Sequence, residues 1–191
     1  MALVLRAADL APGLTVLEFG AGTGWLSRAV TQLGCRVIVS DVSPTALRMA
    51  ETSYDRLPVI GHHPPPTFLR FDGRRFDLDD ESVDRIMCFH AFHHAANPDE
   101  VIAEFARLLK PGGISAFVEP GPRHSTSAKS QFEMRSYCVV ENDVDVHRVW
   151  DVARRHGFSD IRLYVSGGQP LELSLSDYDD LVRGGATSDV W

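Results

Sequence analysis

Residues 16–24 read VLEFGAGTG: an apolar run, one acid, then three glycines in five positions. No other stretch restricts the fold as strongly. Apolar residues that end in closely spaced glycines read as a strand, a sharp turn and a helix start. Residues 23–33 follow with a helical pattern, and residues 36–40 (RVIVS) form a second apolar run. Strand, helix and strand in close succession call for a parallel pair with the helix packed on its face.

The alternation continues along the chain. Residues 67–71, 83–90 and 114–119 read as three more strands. Ser43 and Pro44 open a helix, the serine as cap and the proline at its first position. Asn97, Pro98, Asp99 and Glu100 open another, with both acids at the positive end of its dipole. Val101, Ile102, Phe105, Leu108 and Leu109 fall on one face of that helix, and Lys110-Pro111-Gly112-Gly113 is expected to stop it. Beyond Pro120 the rhythm is lost: residues 120–145 are polar with no clean strand. A helix is expected over 144–156, then two strands over 160–166 and 171–175 around a GGQP turn, forming a closing hairpin. The expected fold is α/β: a Rossmann-like three-layer αβα sandwich on a mostly parallel, seven-stranded sheet with a closing antiparallel hairpin. A single domain over residues 1–191 accommodates it, and the polar end GGATSDVW leaves room for a longer chain.

Charge narrows the partners. Nineteen basic against 26 acidic residues leave a net charge of −7, and no basic run exceeds the Arg74-Arg75 pair. Nucleic acid and anionic membranes attract clustered Lys and Arg, so neither is expected as a partner. Three cysteines without CxxC spacing fit reduced thiols in a cytoplasmic protein. No apolar run approaches the roughly 20 residues that span a bilayer.

The glycine turn then needs a tenant. A dinucleotide fingerprint requires G-x-G-x-x-G and an acid about 20 residues on. Gly20, Gly22 and Gly24 give G-x-G-x-G instead; Trp25 takes the place of the third fingerprint glycine, although Asp41 supplies an acid. A phosphate-binding P-loop is excluded, because no Gly-Lys-Ser/Thr follows. Glu18, two residues before the turn, would repel a pyrophosphate and suit a cation. S-adenosylmethionine carries a sulfonium and an ammonium and no phosphate.

VLEFGAGTG, then VSDVS, FDG, VDRIMCFHAFHH and LLKPGG occur in order over residues 14–119. In this set the chain resembles the class I S-adenosylmethionine-dependent methyltransferases, in particular the small-molecule "type 11" group. The resemblance implies that Glu18, Gly20, Ala21, Gly22, Thr23 and Gly24 line the methionine portion of the cofactor. It implies that Asp41 accepts from both ribose hydroxyls and that Val42 packs on the adenine. Asp72 and Gly73 would bond the adenine amino group, Phe71 would flank the ring, and His90 would contact the methionine end. The product is S-adenosylhomocysteine.

His90, His93 and His94 form an H-x-x-H-H cluster without cysteine or trustworthy helical spacing, so no metal is expected. A neutral imidazole suits deprotonation near pH 7, which makes His93 or His94 the candidate general base beside a purely structural loop role. The strand end FHAFHH lacks an Asn-Pro-Pro-Tyr motif, and Cys88 lacks a Pro-Cys context. Both point away from nucleobase acceptors, toward a small molecule or a sugar or lipid head group. Residues 120–145 are the expected acceptor wall, a substrate-side insertion. Glu119, Arg123, His124, Gln131, Arg135 and Tyr137 are its candidate contacts. Two other readings stay open: a nicotinamide-dependent oxidoreductase, and a methyltransferase-like module without catalysis. The acceptor, the attacked atom and the oligomeric state are not written in the residues.

Overall fold

The computed structural model describes residues 2–56, 60–61, 63–167 and 169–184. The chain divides into two compact units, Met1–Phe92 with Glu104–Val118, and His93–Ala103 with Glu119–Trp191.

The first unit opens with α1 (Ala2–Ala7). Strand β1 (Thr15–Phe19) leads through the glycine turn into α2 (Trp25–Gln32). β2 (Arg36–Asp41), α3 (Pro44–Arg56), β3 (Thr67–Arg70) and β4 (Val83–Phe89) follow. Helix α4 (Pro98–Leu108), whose residues up to Ala103 count with the second unit, leads along the chain into β5 (Leu109–Val118). Ser43 caps α3 as expected, its hydroxyl accepting from the Ala46 N–H at 3.2 Å.

The five strands form one sheet in the order β3-β2-β1-β4-β5, and every neighbouring pair is parallel. Its strands read as near-continuous apolar runs because both faces of such a sheet are covered. Val16, Leu17, Val37, Val39, Ile86 and Met87 are all buried. Six phenylalanine rings run on in edge, stacked and tilted contacts, from Phe76 to Phe71, Phe19, Phe105, Phe117 and Phe92. Each fully buried ring or aliphatic side chain contributes roughly 1.5–3 kcal/mol, which is why these short strands hold together. The chain steps outward from β1 to β3 and returns on the other side of β1 at β4. In open parallel sheets ligands bind where the order reverses in this way, beyond the carboxyl ends of the two strands, here β1 and β4.

Lys110-Pro111-Gly112-Gly113 ends α4 as expected, yet it lies inside β5 rather than before it. The register passes from Val83↔Leu109 directly to Arg85↔Ile114, so residues 110–113 bulge out of the ladder. Gly112 has φ +75°, and a Cβ on Gly113 would lie 2.9 Å from the Lys110 carbonyl. Lys110 closes the bulge through a 2.9 Å bond to Asp84, whose other oxygen accepts from the Thr15 N–H.

The second unit holds α5 (Ala128–Tyr137), α6 (Val146–Arg155), β6 (Leu163–Gly167), β7 (Gln169–Leu173) and α7 (Leu175–Arg183). Here the expected seven-stranded sheet is corrected to five. β6 and β7 pair antiparallel from Leu163↔Leu173 to Gly167↔Gln169 and form a separate two-stranded sheet. A strand inside a parallel sheet is apolar on both faces, whereas Leu171 and Glu172 are exposed here. The turn residue Gly168 and residues 185–191 lie outside the described residues. Strand β7 stops two residues short of expectation because Ser174 and Asp177 cap α7 reciprocally. Among the described residues no helix is long and apolar enough to cross a membrane.

Candidate cofactor site and the histidine–carboxylate cluster

The glycine turn is stitched to its neighbours by backbone bonds. Ala21 donates to the Ser40 carbonyl at 2.8 Å, and the Ser40 hydroxyl donates to the Glu18 carbonyl at 2.6 Å. Gly20, Gly22 and Gly24 all have positive φ, but for different reasons. A Cβ on Gly20 would lie 2.3 Å from the Ala91 Cβ, and one on Gly24 would lie 3.0 Å from the Ala50 Cβ. A Cβ on Gly22 would meet nothing within 4 Å. Gly20 is therefore demanded by packing, Gly24 is tight against Ala50 with φ +74°, and Gly22 borders open space with φ +55°.

Asp41 ends β2 and faces this turn. Its Oδ2 accepts from the Gly22 N–H at 2.9 Å and its Oδ1 from the Ser43 N–H at 2.8 Å. A carboxylate has about four lone-pair positions, so each oxygen keeps capacity for another donor. The Phe71 N–H donates to the Asp41 carbonyl at 3.0 Å, which ties the segment after β3 to the end of β2. Gly20 beside Ala91 likewise ties the first turn to the segment after β4. Four strand ends are thus drawn together at one edge of the sheet.

Glu18 lies just inside that edge, 4% exposed, and accepts from the Ser27 hydroxyl. Burial pushes its carboxyl up to about 7; the Ser27 bond opposes the rise and the nearby Asp41 charge adds to it. A buried carboxyl poised near neutrality is stabilised as an anion by an arriving cation.

The other expected cofactor contacts differ in character. Val42 is 54% exposed, an apolar side chain left in solvent just past a strand end. Thr23 is exposed. Asp72 is exposed too and accepts from the Arg74 and Arg75 N–H groups, both at 2.7 Å, which hold its carboxyl below the usual range. Gly73 has φ +93° with open space beyond it. His90 is an exposed residue with φ +53°, and its N–H donates to the Val118 carbonyl at 2.7 Å. Phe71 is only 3% exposed and stacks on Phe76 at 4.3 Å, so its ring serves the core.

The second unit holds a separate constellation. His93 is 5% exposed; its Nδ1 lies 2.6 Å from Glu119 and its Nε2 3.6 Å from Glu141. His124 Nε2 lies 2.7 Å from the same Glu141 oxygen and 3.2 Å from the Ser130 hydroxyl. His94 Nδ1 lies 2.6 Å from the Val140 carbonyl and 3.5 Å from Glu141. A carbonyl only accepts, so His94 Nδ1 carries the proton and Nε2 the lone pair, on a side chain 43% exposed.

Of the expected acceptor contacts, Glu119 and His124 join this cluster. Gln131 donates to the Ser125 carbonyl at 2.8 Å, and Arg123, Arg135 and Tyr137 are exposed. Sequence reasoning missed two participants. Ser27 carried a signal, a polar residue on the inward face of α2 beside Leu26, Val30 and Thr31. Glu141 carried none, standing in a polar stretch without periodicity.

Known proteins share this organisation. Residues 17–117 match the family model of the methyltransferase domain. An uncharacterized methyltransferase of Geobacillus thermodenitrificans is 31% identical over 159 residues, covering 77% of this chain and 70% of the relative. A demethylmenaquinone methyltransferase of Parafrankia sp. is 31% identical over 153 residues, covering 73% of this chain and 60% of the relative. The crystal structure of an S-adenosylmethionine-dependent methyltransferase from Mesorhizobium loti aligns with a TM-score of 0.72 at 18% identity, over 96% of this chain and 90% of that one. The last likeness concerns the fold, while the family model covers the stretch that carries the glycine turn, Asp41 and LLKPGG. By that match the chain belongs to the class I S-adenosylmethionine-dependent methyltransferases.

Proposed function

We propose that this chain binds S-adenosylmethionine at the carboxyl ends of β1 to β4 and transfers its methyl group to a small-molecule acceptor. One observation carries the reading: the Asp41 carboxylate is anchored on Gly22, while the buried Glu18 awaits a cation. When bound, the cofactor supplies a methyl group activated by positive sulfur, so the chain has to align, hold charge and exclude water. Glu18 balances the ligand's positive charge, and Asp41 receives the ribose hydroxyls. Val42 offers an apolar surface to the adenine, with Asp72, Gly73 and His90 as the remaining contacts. Residues 120–145 are the acceptor wall of this reading, and of His93 and His94 the solvent-open His94 is its candidate base for the acceptor's proton. The acidic composition and the quinone acceptor named for the Parafrankia relative both favour a small molecule over a nucleic acid.

Calorimetric titration with S-adenosylhomocysteine and with NAD tests the cofactor, and labelled methyl transfer to an acceptor panel tests the reaction. Binding of S-adenosylhomocysteine and not NAD is expected. Binding of NAD alone would replace this reading with an oxidoreductase, which Trp25 at the third fingerprint position disfavours. Cofactor binding without transfer to any acceptor would favour a non-catalytic module.

A further inference from the structure

Glu141 is 2% exposed and has imidazoles on three sides. We propose that His93, His124 and Glu141 bind a divalent transition-metal ion of the zinc class. The inference lies wholly within the second unit and does not depend on cofactor binding in the first.

Convergence is the first argument. His93 Nε2 and His124 Nε2 both approach the same oxygen of Glu141, at 3.6 and 2.7 Å. Two donors each about 2.0–2.1 Å from a tetrahedral zinc lie roughly 3.3 Å apart, and the two separations bracket that spacing. Orientation is the second. His93 turns its Nδ1 to Glu119 at 2.6 Å, which places the Nε2 lone pair toward Glu141. A carboxylate on the far nitrogen of a ligating imidazole is the usual support for a metal-bound histidine.

Charge is the third argument. Glu141 places a carboxylate in surroundings where its side chain is 2% exposed. A buried carboxylate needs cationic compensation, and a divalent ion bound to it supplies that. The donor set also decides the class of ion. Two nitrogens and a carboxylate suit zinc, cobalt or nickel, whereas magnesium and calcium take oxygen ligands. His94 stands beside the site, its ligand atom within 4.8 Å of those of His93 and Glu141 and its side chain 43% exposed, so it is placed to join the coordination.

The test uses the full chain, freed of metal by a chelator and titrated with Zn²⁺ alone and with Co²⁺ alone. One equivalent of Zn²⁺ is expected to bind, with strong visible Co²⁺ bands from a low-coordinate site. Glu141→Gln should abolish both signals, and Glu119→Gln should weaken Zn²⁺ binding about 10–100-fold. His147→Ala, which removes an exposed imidazole paired with Asp179, should leave the titration unchanged. Equal binding by the wild type and Glu141→Gln would overturn the site. So would a wild-type Co²⁺ spectrum like that of the hydrated ion, a result that needs no variant to fold. Titration with S-adenosylhomocysteine on the same samples separates a failure here from a failure of the methyltransferase reading.

Discussion

Asp41 Oδ2 accepts from the Gly22 N–H at 2.9 Å, so the acid that ends β2 holds the centre of the glycine turn in place before any ligand arrives. The same carboxylate also supports the start of α3 through the Ser43 N–H. Asp41→Ala should therefore act twice. Loss of two charge-assisted acceptors for the ribose is expected to weaken S-adenosylhomocysteine binding about 100-fold or more, at roughly 1.5–3 kcal/mol per bond. Two half-buried N–H groups left without partners should also lower the unfolding free energy, by about 1–3 kcal/mol. Calorimetric titration and chemical denaturation read the two effects separately. Unchanged affinity would remove Asp41 from the cofactor site.

The three glycines of the turn should separate in the same two assays. Gly20→Ala would set a Cβ 2.3 Å from the Ala91 Cβ at a φ of +66°, so it should destabilise by about 2–4 kcal/mol. Gly22→Ala meets open space, and its cost in stability should be only the left-handed backbone, about 1–2 kcal/mol. Yet that Cβ would project toward the proposed ligand, so Gly22→Ala should lose far more affinity than stability. If Gly22→Ala bound S-adenosylhomocysteine as tightly as the wild type, the ligand would lie elsewhere.

Local patterns made most of the first unit legible. β1, the turn, α2 and β2 are each read from apolar period and glycine placement, and the acid at 41 is visible because it ends a strand run. The errors arose where long-range packing decides. The KPGG stretch looks like a plain helix stop, but the register with β4 incorporates it as a bulge. The last two strands look like additions to the sheet, and only their pairing partners reveal a separate ribbon. Phe71 follows β3 and adjoins Asp72, but its burial against Phe76 and Phe19 follows from the tertiary core. Glu141 meets His93 from 48 residues away along the chain (141 minus 93), and no local pattern announces such a pairing.

Glu18 makes stability and binding depend on pH in opposite directions. Its carboxyl is raised from 4.5 to about 7 by burial, so between those values the native state holds a proton that the unfolded state has released. Its contribution is fully present below pH 4.5 and is lost as pH rises through about 7, a swing of about 3 kcal/mol. Glu18→Gln cannot titrate and should not show that loss, so the difference in melting temperature between the two proteins should shift in favour of the variant from pH 5 to pH 8. A cationic ligand prefers the ionised form. The affinity for S-adenosylmethionine, which carries the sulfonium, should therefore rise through pH 7 in the wild type and stay flat in Glu18→Gln. A flat profile in both would show that Glu18 does not sense the ligand's charge.

His94 and His93 are adjacent in sequence but differ in what they can do chemically. His93 faces carboxylates with both ring nitrogens at 5% exposure, which suits holding rather than exchanging a proton. His94 donates its Nδ1 proton to Val140 and keeps a lone pair on Nε2, on a side chain open to solvent. With an acceptor from the panel that turns over, His94→Gln is expected to lower kcat by about 10²–10⁴-fold, the range for loss of a general base. S-adenosylhomocysteine affinity should stay within twofold of the wild type (about 0.4 kcal/mol), because His94 takes no part in holding the cofactor. The acidity of the acceptor supplies the sharper readout. An acceptor acidic enough to ionise unaided should lose little rate in His94→Gln. Equal losses for acidic and weakly acidic acceptors would assign His94 to positioning instead of proton removal.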